Sequence, residues 1–174
     1  MNRKSNEAPS SLPLNWILLA GFTGGLAEVI WVSLYAALSP LQGWDVAREI
    51  TVSVFGSPVA GAFAPGLGIL IHFILSIAIA LAFVAVLWAP LMRRFGQPGV
   101  LGGAIAVLAA IWTMNFFVVL PVLNPAFVAL MPLSVTLASK LLFGISLGVV
   151  LAVASKQHRA MGELVYRTAA PFVS

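Results

Sequence analysis

Two long gaps in the charge pattern constrain this chain more than any other feature. No Asp, Glu, Lys or Arg lies between Glu49 and Arg93, and none lies between Arg94 and Lys140. Only 8% of the 174 residues are charged and 61% are hydrophobic. A water-soluble domain carries about 25% charged residues. Lipid is therefore the expected solvent, and a lipid-facing backbone must satisfy its own hydrogen bonds within helices. A span needs about 20 mostly apolar residues. The gaps predict four, over 15–38, 66–90, 98–121 and 131–154. The expected fold class is an all-α, four-helix membrane protein formed as one integral domain. The first span is too long for a signal-peptide apolar region and lacks a small-residue cleavage site.

The cations set the expected orientation. Arg3 and Lys4 precede the first span, Arg93 and Arg94 join the second to the third, and Lys156, Arg159 and Arg167 follow the fourth. Only Arg48 lies on the other side. Lys and Arg favour the cytoplasmic face, so the tails 1–14 and 155–174 are expected in the cytoplasm of a bacterial cell bounded by this inner membrane. The cations form no stripe interleaved with aromatic residues, which argues against nucleic acid as a partner. The lipid bilayer is the expected surrounding, with a homo-oligomer or a larger membrane complex as the expected assembly.

The chain echoes itself. "GFTGGLAEV" at 21–29 matches "GVLGGAIAV" at 99–107 at three glycines and a valine, and "HFILSIAIA" at 72–80 resembles "KLLFGISLG" at 140–148. A duplicated two-helix hairpin gives this pattern, and so does the general likeness of Gly-rich apolar helices. Gly24, Gly25, Gly102, Gly103, Gly144 and Gly148 are expected at helix contacts, where small residues let backbones approach. No strand precedes the paired glycines, so they do not read as a nucleotide fingerprint. In the outer loop 39–65, "GWDVAREITVSVF" places Trp44, Ala47, Ile50, Thr51, Val54 and Phe55 near one helical face, with Asp45 and Glu49 opposite. That is the pattern of a helix lying in the membrane interface. Trp44 and Trp88 suit interfacial anchors.

Each span carries one strongly polar residue. At 1.5 Å per residue, Glu28 lies about 15 Å and Lys140 about 13 Å from the outer ends of their helices, with His72 and Asn115 at about 9 Å. A lone carboxylate or ammonium near mid-bilayer costs about 3 kcal/mol on insertion scales. Glu28 and Lys140 are therefore expected to face inward and pair, with His72 and Asn115 capping their remaining lone pairs and protons. Such a cluster is either a clasp that fixes helix pairing or a proton or ion site. The sequence has no Cys and only two His, and it lacks a Ser/His/Asp set or a carboxylate pair. No cofactor, no metal and no enzymatic activity are expected.

Two resemblances bear on function. "HFILSI" at 72–77, "APLMRRFGQPGVLGGA" at 89–104 and "LPVLNP" at 120–125 resemble the YagU-type inner-membrane proteins, over about half the chain. That resemblance implies a small membrane protein linked to acid resistance or envelope stress. Lys140 stands where the family has His. "LAEVI" at 26–30 and "AIWT" at 110–113 are similar to segments of small multidrug-resistance transporters, which implies a proton-coupling role for Glu28. This chain is much longer and carries Lys140 as an intramembrane cation. The expected function is non-catalytic: an accessory subunit or stabiliser of a membrane complex, or an envelope-stress-related protein. A proton-coupled transporter is the alternative.

Overall fold

A computed structural model describes residues 12–57 and 61–169. The described residues are helical, with no strand among them. The elements are α1 (Leu14–Ala37), α2 (Gly43–Phe55), α3 (Ala64–Phe83), α4 (Ala89–Met114), α5 (Leu120–Leu123), α6 (Pro125–Leu130) and α7 (Leu133–Ala169). Three helical stretches are long and apolar enough to cross a membrane: Leu14–Ala37, Ala64–Leu123 and Leu133–His158.

The second of these, 60 residues long, is not straight. Two wide π turns interrupt it, at Val84–Trp88 and Asn115–Val119. Each lies just before a proline, Pro90 or Pro121. A proline ring clashes with the carbonyl four residues earlier, here that of Val86 or Phe117, and widening the turn relieves the clash.

A sharper break falls at Gly96, with φ 66° and ψ −155°, a left-handed conformation that glycine alone adopts readily. The helix restarts at once, and Pro98 sits in its first turn, where its missing N–H leaves no bond unmade. The chain reverses here. A Cβ placed on Gly103 would touch the Leu91 side chain, whereas twelve residues of straight helix would separate the two by about 18 Å. Gln97 Nε2 donates to Ala152 O of α7 at 3.3 Å, fixing the turn to the last helix.

Glycines decide which helices touch. Gly21 and Gly25 form one ridge of α1, and a Cβ on them would lie 2.7 Å from Ile77 Cα and from Ser76 Oγ of α3. Gly24 belongs to the next ridge, and its Cβ would lie 2.8 Å from the Phe143 ring of α7. Gly144 and Gly148 of α7 approach Ile105 and Leu101 of α4 just as closely. Thus α1 packs on α3, and the second leg of α4 packs on α7. Ser76 and Gly144, which match in the two sequence repeats, both lie at these crossings. Gly103 meets Leu91 within its own hairpin rather than another helix pair. Gly102 departs from expectation: nothing within 4 Å would meet its Cβ. It points away from the bundle.

The core fills the half of the bundle nearest Gly96. Ala104, Leu108, Phe143, Leu147 and Leu151 are fully buried there. Trp88 also lies in this core, and its indole nitrogen has no hydrogen-bond partner among the described residues. The expectation of an interfacial anchor is thus corrected for Trp88, because the π turn swings it inward. Trp44, at 63% exposure, remains on the surface.

Candidate functional site

The four polar residues singled out from sequence line one cavity of about 350 Å³ in the opposite half of the bundle. Glu28 is 3% exposed. The Gly24 ridge brings α1 so close to α7 that Lys140 Nζ reaches both carboxylate oxygens, at 2.7 Å and 2.8 Å. Ser139 Oγ lies 3.3 Å from Glu28 Oε1 and 2.8 Å from Thr136 O. Its single hydrogen serves both acceptors, the shorter contact being to Thr136 O. Trp31 Nε1 donates to Val135 O at 3.0 Å one turn further along α1, which fixes the register of the pair. Across the bundle, Trp112 Nε1 donates to Thr136 Oγ1 at 2.9 Å and ties α4 to the same turn of α7.

His72 lies within ion-pair distance of Glu28 but makes its hydrogen bond elsewhere, and Asn115 lies beside the pair without bonding it. His72 Nε2 lies 3.0 Å from Gly25 O and 3.8 Å from Glu28 Oε2. A carbonyl oxygen only accepts, so Nε2 carries a hydrogen and directs it at the α1 backbone. The absence of a side chain at Gly25 makes that approach possible: a Cβ there would fall 2.7 Å from Ser76 Oγ. His72 thus joins α3 to α1, beside the ion pair. Asn115 lies in the second π turn and lines the cavity. Among the described residues it makes no hydrogen bond to Glu28, Lys140 or His72.

The cavity is covered by α2. Ala47 is pressed against α3 at Gly68, where a Cβ would collide with Ala47 O. Thr51 Oγ1 donates to Ala64 O at 2.6 Å. On the other flank, Asn124 Nδ2 lies 2.9 Å from Glu49 Oε2 and 3.1 Å from Ser53 Oγ, while its Oδ1 accepts from Phe127 N at the start of α6. These contacts correct the expected amphipathic face of α2. The docked stripe is Val46, Ala47 and Thr51, whereas Trp44, Val54 and Phe55 stay exposed. Glu49, assigned to the polar side, is turned into the knot with Asn124. The sequence offered one cue to that knot: the Asn-Pro pair 124–125, a strong helix-start signal.

In chemical terms the site holds one closed ion pair, one imidazole bound to backbone and one amide beside an apolar space. Among the described residues no three His, Asp or Glu side chains converge to hold a metal. No protein-family model, curated protein or solved structure matches this chain.

Proposed function

We propose that this protein is a four-span integral membrane protein of the bacterial inner membrane, with both termini cytoplasmic. It acts without catalysis, as an accessory subunit or stabiliser of a membrane complex. The reversal at Gly96 supports dividing the long stretch Ala64–Leu123 into two spans. Single cysteines test the topology cleanly, because the chain has no native Cys. Arg94→Cys should react with an impermeant maleimide from the cytoplasmic side only, and Gln42→Cys from the outer side only. Reaction of both from one side would reject the arrangement.

One observation carries the non-catalytic reading: Glu28 is buried and Lys140 engages both of its oxygens. A proton carrier or nucleophile needs a carboxylate that opens to water or substrate, whereas a clasp needs it occupied. Association is supported by Gly102, Ala106 and Ala110, a small-residue stripe exposed on the outer face of α4, of the kind that lets a further helix approach. The mass and composition of the particle extracted in mild detergent test this reading. Co-purifying subunits at fixed stoichiometry are expected. A particle containing only this chain would turn the assignment toward transport.

Transport is the second reading because Glu28, His72 and Lys140 border a space large enough for a solute. It requires Glu28 to release Lys140 during each cycle. Proton-linked uptake into vesicles that survives in Glu28→Gln would exclude it.

A further inference from the structure

The cavity has a chemistry of its own, independent of any accessory role. We propose that it binds one molecule with an aliphatic body and an uncharged hydrogen-bonding head, a medium-chain alcohol being the simplest member of the class. The head sits at Asn115.

Size comes first. A dry cavity of about 150 Å³ takes a benzene molecule. A space of about 350 Å³ therefore suits a ligand of roughly ten to fifteen heavy atoms, at the small end of ligand pockets. The walls supply the body's environment. Val46, Ile50 and Val54 of α2 line the space together with Val119, Leu123 and Phe127. None of these side chains offers a hydrogen bond.

The head follows from which polar groups are already used. Ser53 and Thr136 both line the cavity, and both donate to backbone carbonyls, of Glu49 and Leu133. Ser139 donates to Thr136 O. Ser33 lies at the exposed rim. Asn115 is the partly buried polar side chain of the lining that makes no hydrogen bond at all among the described residues. An amide carries two N–H donors and an acceptor oxygen, and none has a partner among the described residues. A hydroxyl or carbonyl head complements it.

Charge is disfavoured by the neighbours. An anion at Lys140 competes with Glu28 for the ammonium, and a cation at Glu28 competes with Lys140 for the carboxylate. Either exchange strands one buried charge, the unfavourable half of a broken ion pair. The closed pair acts as a neutral floor that selects against both.

Entry is lateral. Leu75 and Ile69 of α3 line the cavity, yet they are 52% and 37% exposed. The space thus reaches the surface beside α3, as it also does at Val54 of α2 and Leu123 of α5, which are 53% and 61% exposed. In the membrane setting proposed above, that surface meets acyl chains, so the bilayer is the source.

A diazirine-bearing decanol tests this on the full chain inserted in nanodiscs, with insertion verified separately. Cross-links are expected within 69–75 and 115–123. Competition by 1-decanol should be at least about tenfold more effective than by decane, decanoate or decyltrimethylammonium. Asn115→Leu should lower labelling about fivefold, the loss of one hydrogen bond, without changing thermal stability. Val119→Trp should abolish labelling by filling the space. Equal displacement by the charged analogues, or wild-type labelling of Asn115→Leu, overturns the proposal. Protein extracted with a neutral amphiphile already bound, seen by native mass spectrometry, places the source in the bilayer. Protein extracted empty that takes up added 1-decanol places it in solution. Binding by neither route in correctly inserted protein rejects the site and leaves the accessory reading untouched.

Discussion

The two halves of this bundle are built from the same helices but on different principles. Near Gly96 the interior is dry and filled, with Leu108, Phe143, Leu147 and Leu151 fully enclosed. In the other half the interior holds a space bordered by Glu28, His72, Asn115 and Lys140. The reversal at Gly96 explains the difference. It holds the two legs together beside the turn, whereas their far ends are joined through α2, bonded to Ala64 on one side and Asn124 on the other. The gap left there is covered by α2 rather than filled by side chains. Where helices approach closely, small residues and dense packing supply the attraction in an apolar solvent. Beside the space, close approach at Gly24 and Gly25 brings polar groups into pairs as well.

That contrast can be broken first at Lys140. Lys140→Met leaves Glu28 buried without a partner and should destabilise the fold by about 3–5 kcal/mol, read from unfolding in detergent. Adding Glu28→Gln should recover most of the loss. A single mutant as stable as wild type would remove the clasp from the account. Next, Leu147→Ala in the filled half should cost about 2 kcal/mol or more. Val119→Ala, at the cavity wall, should cost less than about 1 kcal/mol. Equal losses would erase the distinction between the halves. A smaller effect is expected at Gly144, where a Cβ would lie 2.8 Å from Ile105 Cα. Gly144→Ala should cost about 1–3 kcal/mol through overpacking, and Gly102→Ala, into open space, should be neutral in the same assay. The last test belongs to the cover. Thr51→Val removes one hydrogen bond to Ala64 O and should cost about 1 kcal/mol. Faster hydrogen exchange confined to α2 would accompany it.

The long helices were legible because charge is scarce in them. The apolar runs place α1 and α7 within a few residues of Leu14–Ala37 and the start at Leu133. The juxtaposition of Glu28 with Lys140 was legible for the same reason: two opposite charges at similar depth in an apolar chain have one economical arrangement. The partners of the smaller polar groups were not. Whether His72 meets a carboxylate or a backbone carbonyl depends on how closely Gly25 lets α3 approach, a distance that helical periodicity does not encode. Ser139 escaped notice because a serine in a helix ordinarily bonds its own backbone, and only the approach of α1 brings Glu28 within its reach. For α2, a broad apolar face concealed a narrow docking stripe, since the position of Gly68 on α3 decides which turn of α2 can settle. Gly102 misled for the converse reason. Its neighbour Gly103 sits in a hairpin contact, and a one-residue step turns a helical side chain through about 100°, enough to point it outward.

The central claim is that Glu28 is an ionised carboxylate held closed by Lys140. Difference infrared spectroscopy of wild type against Glu28→Gln, in nanodiscs at neutral pH, tests it most directly. The account predicts that the substitution removes carboxylate stretching bands and leaves the protonated carbonyl region unchanged. Loss of a protonated carboxyl band instead would show that Glu28 is neutral and that the clasp is not an ion pair.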